Sequence, residues 1–168
     1  LVSKKEEEER RLKALAEYRI LGTKPESCYD DITKIAAATC NVPISLMTLV
    51  DKDKQWFKSK IGLQISETRR DWSFCTHAIK ENSPLIIHDA FQDERFINNP
   101  LVTGDPKIRF YAGFPLRNSE GNKLGTLCVI DRKPGNLTTQ QFNIMELLSK
   151  QIVSFLELRK KSLNLLDA

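Results

Sequence analysis

An α+β fold, an antiparallel sheet with its terminal helices gathered on one face, is predicted by three features of the chain. Segments with helical spacing open it between residues 6 and 40 and close it after residue 138. Between them the apolar period shifts to that of strands. Two pairs of these strands are joined by polar turns, Asp51-Lys52-Asp53-Lys54 and Asn118-Ser119-Glu120-Gly121-Asn122, which is hairpin chemistry. Helices at the two ends with strands between them are the mark of an α+β domain. No repeat or low-complexity tract divides the 168 residues, so one domain over 1–168 is expected.

The first helix is expected over residues 6–21, with glutamates toward its positive end and Leu12, Leu15 and Ala16 apolar. Gly22 ends it. Thr23-Lys24-Pro25-Glu26 has the form of a capping box, and the helix after it carries Ile32, Ile35, Ala36 and Thr39 on one face before Asn41-Val42-Pro43 stops it. Residues 44–50 are almost wholly apolar and are expected as a central strand, returning over 55–61 through a hairpin. Residues 62–68 are read as loop, and 74–80 as one or two helical turns capped by Ser73. A short strand follows at 84–88, then a polar excursion over 90–101 with one helical turn. Strands at 108–116 and 123–131 form the second hairpin. Thr138-Thr139-Gln140-Gln141 is a second capping box, opening a helix to about residue 161. That helix carries Phe142, Met145, Leu148, Ile152 and Phe155 on one stripe, with Leu147, Leu156 and Leu158 widening it. Apolar surface on two sides predicts two partners, the sheet and a second copy of the chain.

Apolar residues make up 40% of the chain and charged residues 29%, at a net charge of +4, which is the composition of a globular domain. No apolar run approaches the roughly 18 residues of a membrane span, and the charged start, Lys4 to Arg11, lacks the apolar centre of a secretion signal. That charge run is either a solvated helical face or the continuation of an upstream linker helix. The chain starts at Leu1 rather than Met, as a segment of a longer protein would. Basic residues alternate with acids and are not interleaved with aromatics, so nucleic acid is not an expected partner. Cys28, Cys40, Cys75 and Cys128 lie far apart in apolar stretches, which argues against a zinc site or a disulfide framework and for a reducing, cytoplasmic setting.

Reactive residue types concentrate in Arg70-Asp71-Trp72-Ser73-Phe74-Cys75-Thr76-His77-Ala78-Ile79 and Pro84-Leu85-Ile86-Ile87-His88-Asp89-Ala90. Cys75 with His77 suggests a nucleophile and its base. Two residues apart on a helix, however, they point about 200° away from each other, and no third group to orient the base is evident. A wall or packing role is expected instead, and no catalytic residue is assigned. His88 and Asp89 end a strand, at a pocket mouth or simply in solvent. With His77 they include metal-ligand types, but no metal-site spacing, so no metal ligand is assigned. Strand alternation separates Arg109, Tyr111 and Gly113 from Phe110, Ala112 and Phe114. The first set, with a hydroxyl and room beside it, is the more pocket-like. Arg109 would hold an anion there or cap the strand end. The candidate pocket wall is therefore Trp72, Phe74, Cys75, His77, His88, Asp89, Phe96, Arg109, Tyr111 and Gly113.

Several motifs are shared with a known family. Ala14-Leu15-x-x-Tyr18-x-Ile20-Leu21-x-Thr23-x-Pro25-Glu26, Asp31-Ile32 and Cys40-x-Val42-Pro43-Ile44 open the match. Leu49-Val50-Asp51, Gln55-Trp56-Phe57-Lys58-Ser59, Gly62-Leu63, Glu67-Thr68-x-Arg70 and Ser73-Phe74-Cys75-x-His77-Ala78-Ile79 continue it. Phe110-Tyr111-Ala112-Gly113-x-Pro115-Leu116 and Gly121-x-x-Leu124-Gly125-Thr126-Leu127-Cys128-Val129-Ile130-Asp131 complete it. Over roughly residues 12–160 the chain resembles a GAF domain of the bacterial signalling type. The resemblance implies a six-stranded antiparallel sheet, with a ligand or chromophore pocket on one face and a helical dimer interface on the other. It also implies a histidine kinase or diguanylate cyclase output module, in cis or in trans.

The interface is expected through Leu12, Leu15, Phe155 and Leu156. Relatives that carry a bilin attach it at a cysteine followed directly by histidine, whereas Cys75-Thr76-His77 spaces the two apart, so a covalent bilin is not expected. The reductase branch of the family uses several cysteines in the covering loops, where this chain has only Cys75. An Asn-Lys-x-Phe-Asp-type cyclic-nucleotide motif is absent. The cofactor, if any, is unknown. The expected function is a sensory module of a bacterial signal-transduction protein, of the kind found in two-component systems. The rivals are a ligand-free dimerisation spacer and a Cys75-dependent enzyme or chromophore domain.

Overall fold

The computed structural model describes residues 2–167. Two helices, α1 (Lys4–Glu17) and α2 (Ser27–Cys40), lead into β1 (Ile44–Val50) and β2 (Lys54–Ile61). The middle of the chain is made of short pieces: β3 (Glu67–Arg69), α3 (Phe74–Ala78), β4 (Leu85–Ile87) and α4 (Pro100–Thr103). The hairpin of β5 (Phe110–Arg117) and β6 (Lys123–Asp131) follows, and α5 (Thr139–Asp167) closes the fold. The six strands form one sheet in the order β3-β2-β1-β6-β5-β4, antiparallel at each pairing. The α+β architecture with six antiparallel strands is the one expected.

Helices α1, α2 and α5 cover one face of the sheet. Leu15, Tyr18, Ile32, Ala36, Met145, Ile152 and Leu156 pack there on Met47, Leu49, Phe114 and Leu127. The middle segments cover the other face, where Phe74, Ala78, Phe96, Leu101 and Val102 pack on Ile44, Leu46, Phe57, Tyr111 and Ile130. Strand β1 lies between the two cores, and all seven of its residues are buried. This is why it reads as a continuous apolar run rather than an alternating one.

Four local outcomes differ from expectation. The sixth strand, β3, sits where a loop was expected. Three residues hold too little period to read, and pairing of Gln55 with Thr68 and Trp56 with Glu67 makes the strand. Helix α1 stops at Glu17 rather than residue 21, where Arg19 turns into the left-handed region (φ 47°), and Arg159 of α5 donates to the carbonyls of Tyr18 (2.7 Å) and Arg19 (2.7 Å) just past the helix end. The box expected at Thr23 does not form. Thr23 turns back to the carbonyl of Ile20 (2.6 Å), and α2 begins from Glu26 without a side-chain cap. The second box does form, as the Thr138 amide donates to Gln141 Oε1 (2.8 Å) and the Gln141 amide to Thr138 Oγ1 (3.1 Å).

A bulge opposite Met47 and Thr48 turns Lys58 and Ser59 both toward α2. There the fully covered Lys58 ammonium meets Glu26 (2.6 Å) and Ser59 donates to Asp30 (2.6 Å).

The fourth difference concerns the outer face of the helices. Leu15 and Leu156 are 2% and 1% exposed, Phe155 packs edge-on against Tyr29, and Leu12 is half-buried, so these side chains serve the chain's own core. They are not the free apolar surface expected of an interface. The large apolar side chains that α5 exposes are instead Leu147, Leu158, Leu165 and Leu166. Leu156→Ala should lower stability by about 2–5 kcal/mol, the usual cost of truncating a fully buried leucine. The check is a lower denaturant midpoint at unchanged slope.

Candidate functional site

The space between sheet and covering segments is set by how residues 70–78 are held. Ser73 caps α3, accepting from the Thr76 amide (3.2 Å), and its own hydroxyl donates to Gln55 Oε1 (2.7 Å). The Gln55 amide in turn donates to Thr68 Oγ1 (2.8 Å), so a buried polar chain ties the start of α3 to β2 and β3. Asn99 donates to the Trp72 carbonyl (2.9 Å) and draws in the segment before α4.

Arg70 is the other anchor. Its guanidinium donates to both oxygens of Glu8 on α1 (2.9 and 3.1 Å) and to the carbonyls of Asp51 and Lys52 (both 3.2 Å). Its own carbonyl accepts from Thr76 (2.9 Å). Arg11 grips the same Glu8 carboxylate at 2.7 and 3.2 Å. Burial opposes the charge on Glu8, but the two guanidiniums outweigh it and hold the pKa at about 2.

Beneath α3 lies a cavity of about 20 Å³, lined among others by Leu46, Gln55, Phe57, Leu63, Thr68, Phe74, Cys75, Tyr111, Cys128 and Ile130. That is room for about one water molecule. A buried polar cluster adjoins the cavity at Cys75 and Tyr111. Cys75 Sγ lies 3.0 Å from Thr126 Oγ1 and 3.2 Å from Tyr111 Oη, and Thr126 Oγ1 lies 3.0 Å from Thr48 Oγ1. Burial alone would raise the Cys75 thiol, but hydrogen bonds from Cys128, Thr126, Thr48 and Tyr111 outweigh it and lower its pKa below the usual thiol range. Cys128 moves the other way, raised by burial and by Cys75. Burial likewise pushes the Tyr111 hydroxyl well up.

The ten residues proposed for the wall do not converge on one point. Phe74, Cys75 and Tyr111 line the cavity. Gly113 shapes it from below, since a Cβ there would come within 2.1 Å of Tyr111 Oη. Phe96 stacks behind Phe74 (ring centroids 4.0 Å apart, 11° between planes) and is wholly buried. Trp72 is half-buried with the Arg69 guanidinium over its ring. His77 packs edge-on against Phe96, while Cys75 turns to Thr126 and Tyr111, so the two do not act on one atom. Burial lowers the His77 pKa first, and Lys80 and Arg95 lower it further.

His88, Asp89 and Arg109 lie apart, outside the cavity. His88 is exposed, with Nδ1 3.2 Å from the Gly135 carbonyl, and Asp89 caps the turn at 90–92 by accepting from the Phe91 amide (3.0 Å). Arg109 closes two bonds onto Asp89 (2.7 and 2.9 Å) instead of facing a ligand. Residues missed at first are Thr48, Thr126, Cys128, Leu46 and Gln55. All lie on the same sheet face as Tyr111, and strand alternation taken across the register would have found them. Gly113→Ala should displace the Tyr111 ring and cost about 1–3 kcal/mol by overpacking. The checks are thermal unfolding and the environment of the Tyr111 ring.

Comparison with known proteins agrees with this geometry. Residues 24–155 match the family model described as GAF domain. The cyclic di-GMP phosphodiesterase PA2567 of Pseudomonas aeruginosa is 40% identical over 130 residues, a match covering 77% of this chain and 22% of that protein. Two solved structures share the fold at low identity. The GAF domain from an Acinetobacter phosphoenolpyruvate-protein phosphotransferase is 14% identical with a TM-score of 0.64, covering 97% of this chain and 99% of its own. The free methionine-R-sulfoxide reductase from Neisseria meningitidis, solved with its substrate, is 14% identical with a TM-score of 0.65, covering 96% of each chain. A six-stranded antiparallel sheet, helices on one face, a lidded apolar core on the other and a family match over residues 24–155 place this chain in the GAF domain family.

Proposed function

We propose that the chain is a non-enzymatic sensory module of a bacterial signalling protein, binding a small molecule beneath its lid and dimerising through its helical face. The observation that carries this reading is the lid itself. Residues 62–108 form a separate apolar core over the sheet around a cavity of only about 20 Å³. Pockets that hold small molecules measure roughly 300–1,000 Å³. A ligand therefore enters only by moving the lid, and its binding free energy is coupled to lid position. The shift it can drive is limited to its differential affinity for the two lid states.

Arg70 supplies the route outward, because one guanidinium joins the lid, the β1–β2 turn and Glu8 of α1. Movement of α3 is felt at the N-terminal helix through that contact. The name of the 40% identical relative supports a second-messenger output outside the matched segment, and a kinase or cyclase would fit the same role. The four cysteines, all free, suit a reducing cytoplasm.

A partner helix is proposed along Leu147, Leu158 and Leu165. Separations of eleven and seven residues bring these exposed side chains onto one stripe of α5. A second reading, a ligand-free dimerisation spacer, is favoured by the smallness of the cavity. Native mass spectrometry of the gently purified chain separates the two. A bound species lost on unfolding supports the sensor, and a clean dimer with no added mass supports the spacer.

Amide hydrogen exchange should be faster across residues 62–80 and 101–108 than in β1 and β6. Equal protection would remove the lid mechanism. Sedimentation at micromolar concentration should give a dimer that Leu158→Glu with Leu165→Glu converts to monomer, whereas a wild-type monomer would refute the interface. Glu8 adds a pH signature. Its folded pKa of about 2 lies below the ordinary 4.5, so its contribution is present above pH 4.5 and fades as pH falls toward 2. Unfolding measured across that window should show a shallower acid loss for Glu8→Gln, with α1 losing protection in the variant at neutral pH.

A further inference from the structure

We propose that Cys75 and Cys128 form a reversible disulfide, produced by hydrogen peroxide entering the cavity beneath the lid. Cys75 lies on α3, in the lid, and Cys128 on β6, in the centre of the sheet. Both line the same small cavity, at 2% and 0% exposure. Thr126 and Cys128 are two apart on one strand and so share a face, and Cys75 Sγ already lies 3.0 Å from Thr126 Oγ1. Cys128 pairs across the sheet with Gly113, over which the Tyr111 hydroxyl lies, itself 3.2 Å from Cys75 Sγ. The other two cysteines lie at opposite ends of α2, against the helix-side core. Neither shares a cavity with this pair.

The surroundings divide the two roles. Thr126 and Tyr111 hydroxyls lie within 3.0 and 3.2 Å of Cys75 and favour its thiolate, the form that attacks peroxides. Cys128 keeps its proton longer. The cavity also selects the oxidant. With room for about one water molecule, it turns away bulky disulfides, while hydrogen peroxide, neutral and two oxygens long, is nearest in size among thiol oxidants.

The Cys75 thiolate attacks one peroxide oxygen, the O–O bond breaks, and the departing hydroxide takes a proton to leave as water. Cys75 is then a sulfenic acid, two electrons oxidised. The Cys128 sulfur attacks it, the S–O bond breaks, and the Cys128 proton leaves with the hydroxyl as a second water. Two thiols and one peroxide become one disulfide and two waters. A dithiol reductant reverses it. The bond would fasten α3 to the central strand and hold the lid shut, opposite in direction to ligand entry and independent of whether a ligand exists.

The full chain is treated with hydrogen peroxide, unfolded, alkylated and mapped by mass spectrometry. The expected result is loss of two of the four alkylatable thiols, a Cys75–Cys128 linked peptide and recovery of both thiols with dithiothreitol. A Cys28→Ser, Cys40→Ser variant should give the same linkage. Cys128→Ser should stop at the sulfenic acid, trapped on Cys75 by dimedone. Four thiols still alkylatable in treated wild-type protein, or a linkage through Cys28 or Cys40, would overturn the proposal without reference to any variant's folding.

Discussion

Strands β1 and β6 have water on neither side, so each face of the sheet must find its own cover. One face receives three long helices and the other a lid of short pieces. A buried strand surface that lost its cover would expose aliphatic area worth about 25 cal/mol per Å², so neither layer is optional. The bulge opposite Met47 and Thr48 adjusts β2 to this demand. It turns the polar Lys58 and Ser59 toward Glu26 and Asp30 on α2 and leaves Phe57 on the lid side.

The two covers are held differently. The helix face is packed from long elements whose side chains interdigitate, with α5 pinned to the end of α1 by Arg159. The backbone bonds of the lid mostly close short local turns, and polar pins tie it together and to its neighbours, namely Ser73 to Gln55, Asn99 to Trp72 and Arg70 to Glu8. Segments built this way open at lower cost than a packed helix face. In the proposed sensor the lid would be the moving part and the sheet below it the fixed one.

The chemistry under the lid is a consequence of strand register. Thr48, Thr126, Cys128 and Tyr111 come from three strands, and Cys75 joins them from above. Each of those residues looked ordinary in its own strand. His88, Asp89 and Arg109 looked more functional, yet Arg109 pairs with Asp89, Asp89 caps a turn and His88 meets only the Gly135 carbonyl at the edge of the sheet. Residue type was a poor guide there, because a charged side chain at a strand end finds a partner as readily as a ligand.

Much of the architecture was legible from local pattern. Period and turn chemistry located five of the six strands, the box at Thr138 and Gln141 marked the start of the last helix, and Ser73 announced the cap of α3. Family motifs spread over the chain carried the sheet and its lid. Three matters waited for the tertiary structure, and they share a cause. β3 exists only because β2 offers it an edge, Leu156 and Phe155 are core only because α1 and α2 reach them, and the cavity is small only because Phe74 and Tyr111 fill it. Periodicity reports which side of an element is apolar. What that side meets is decided by elements distant in sequence, through contacts that no local pattern encodes.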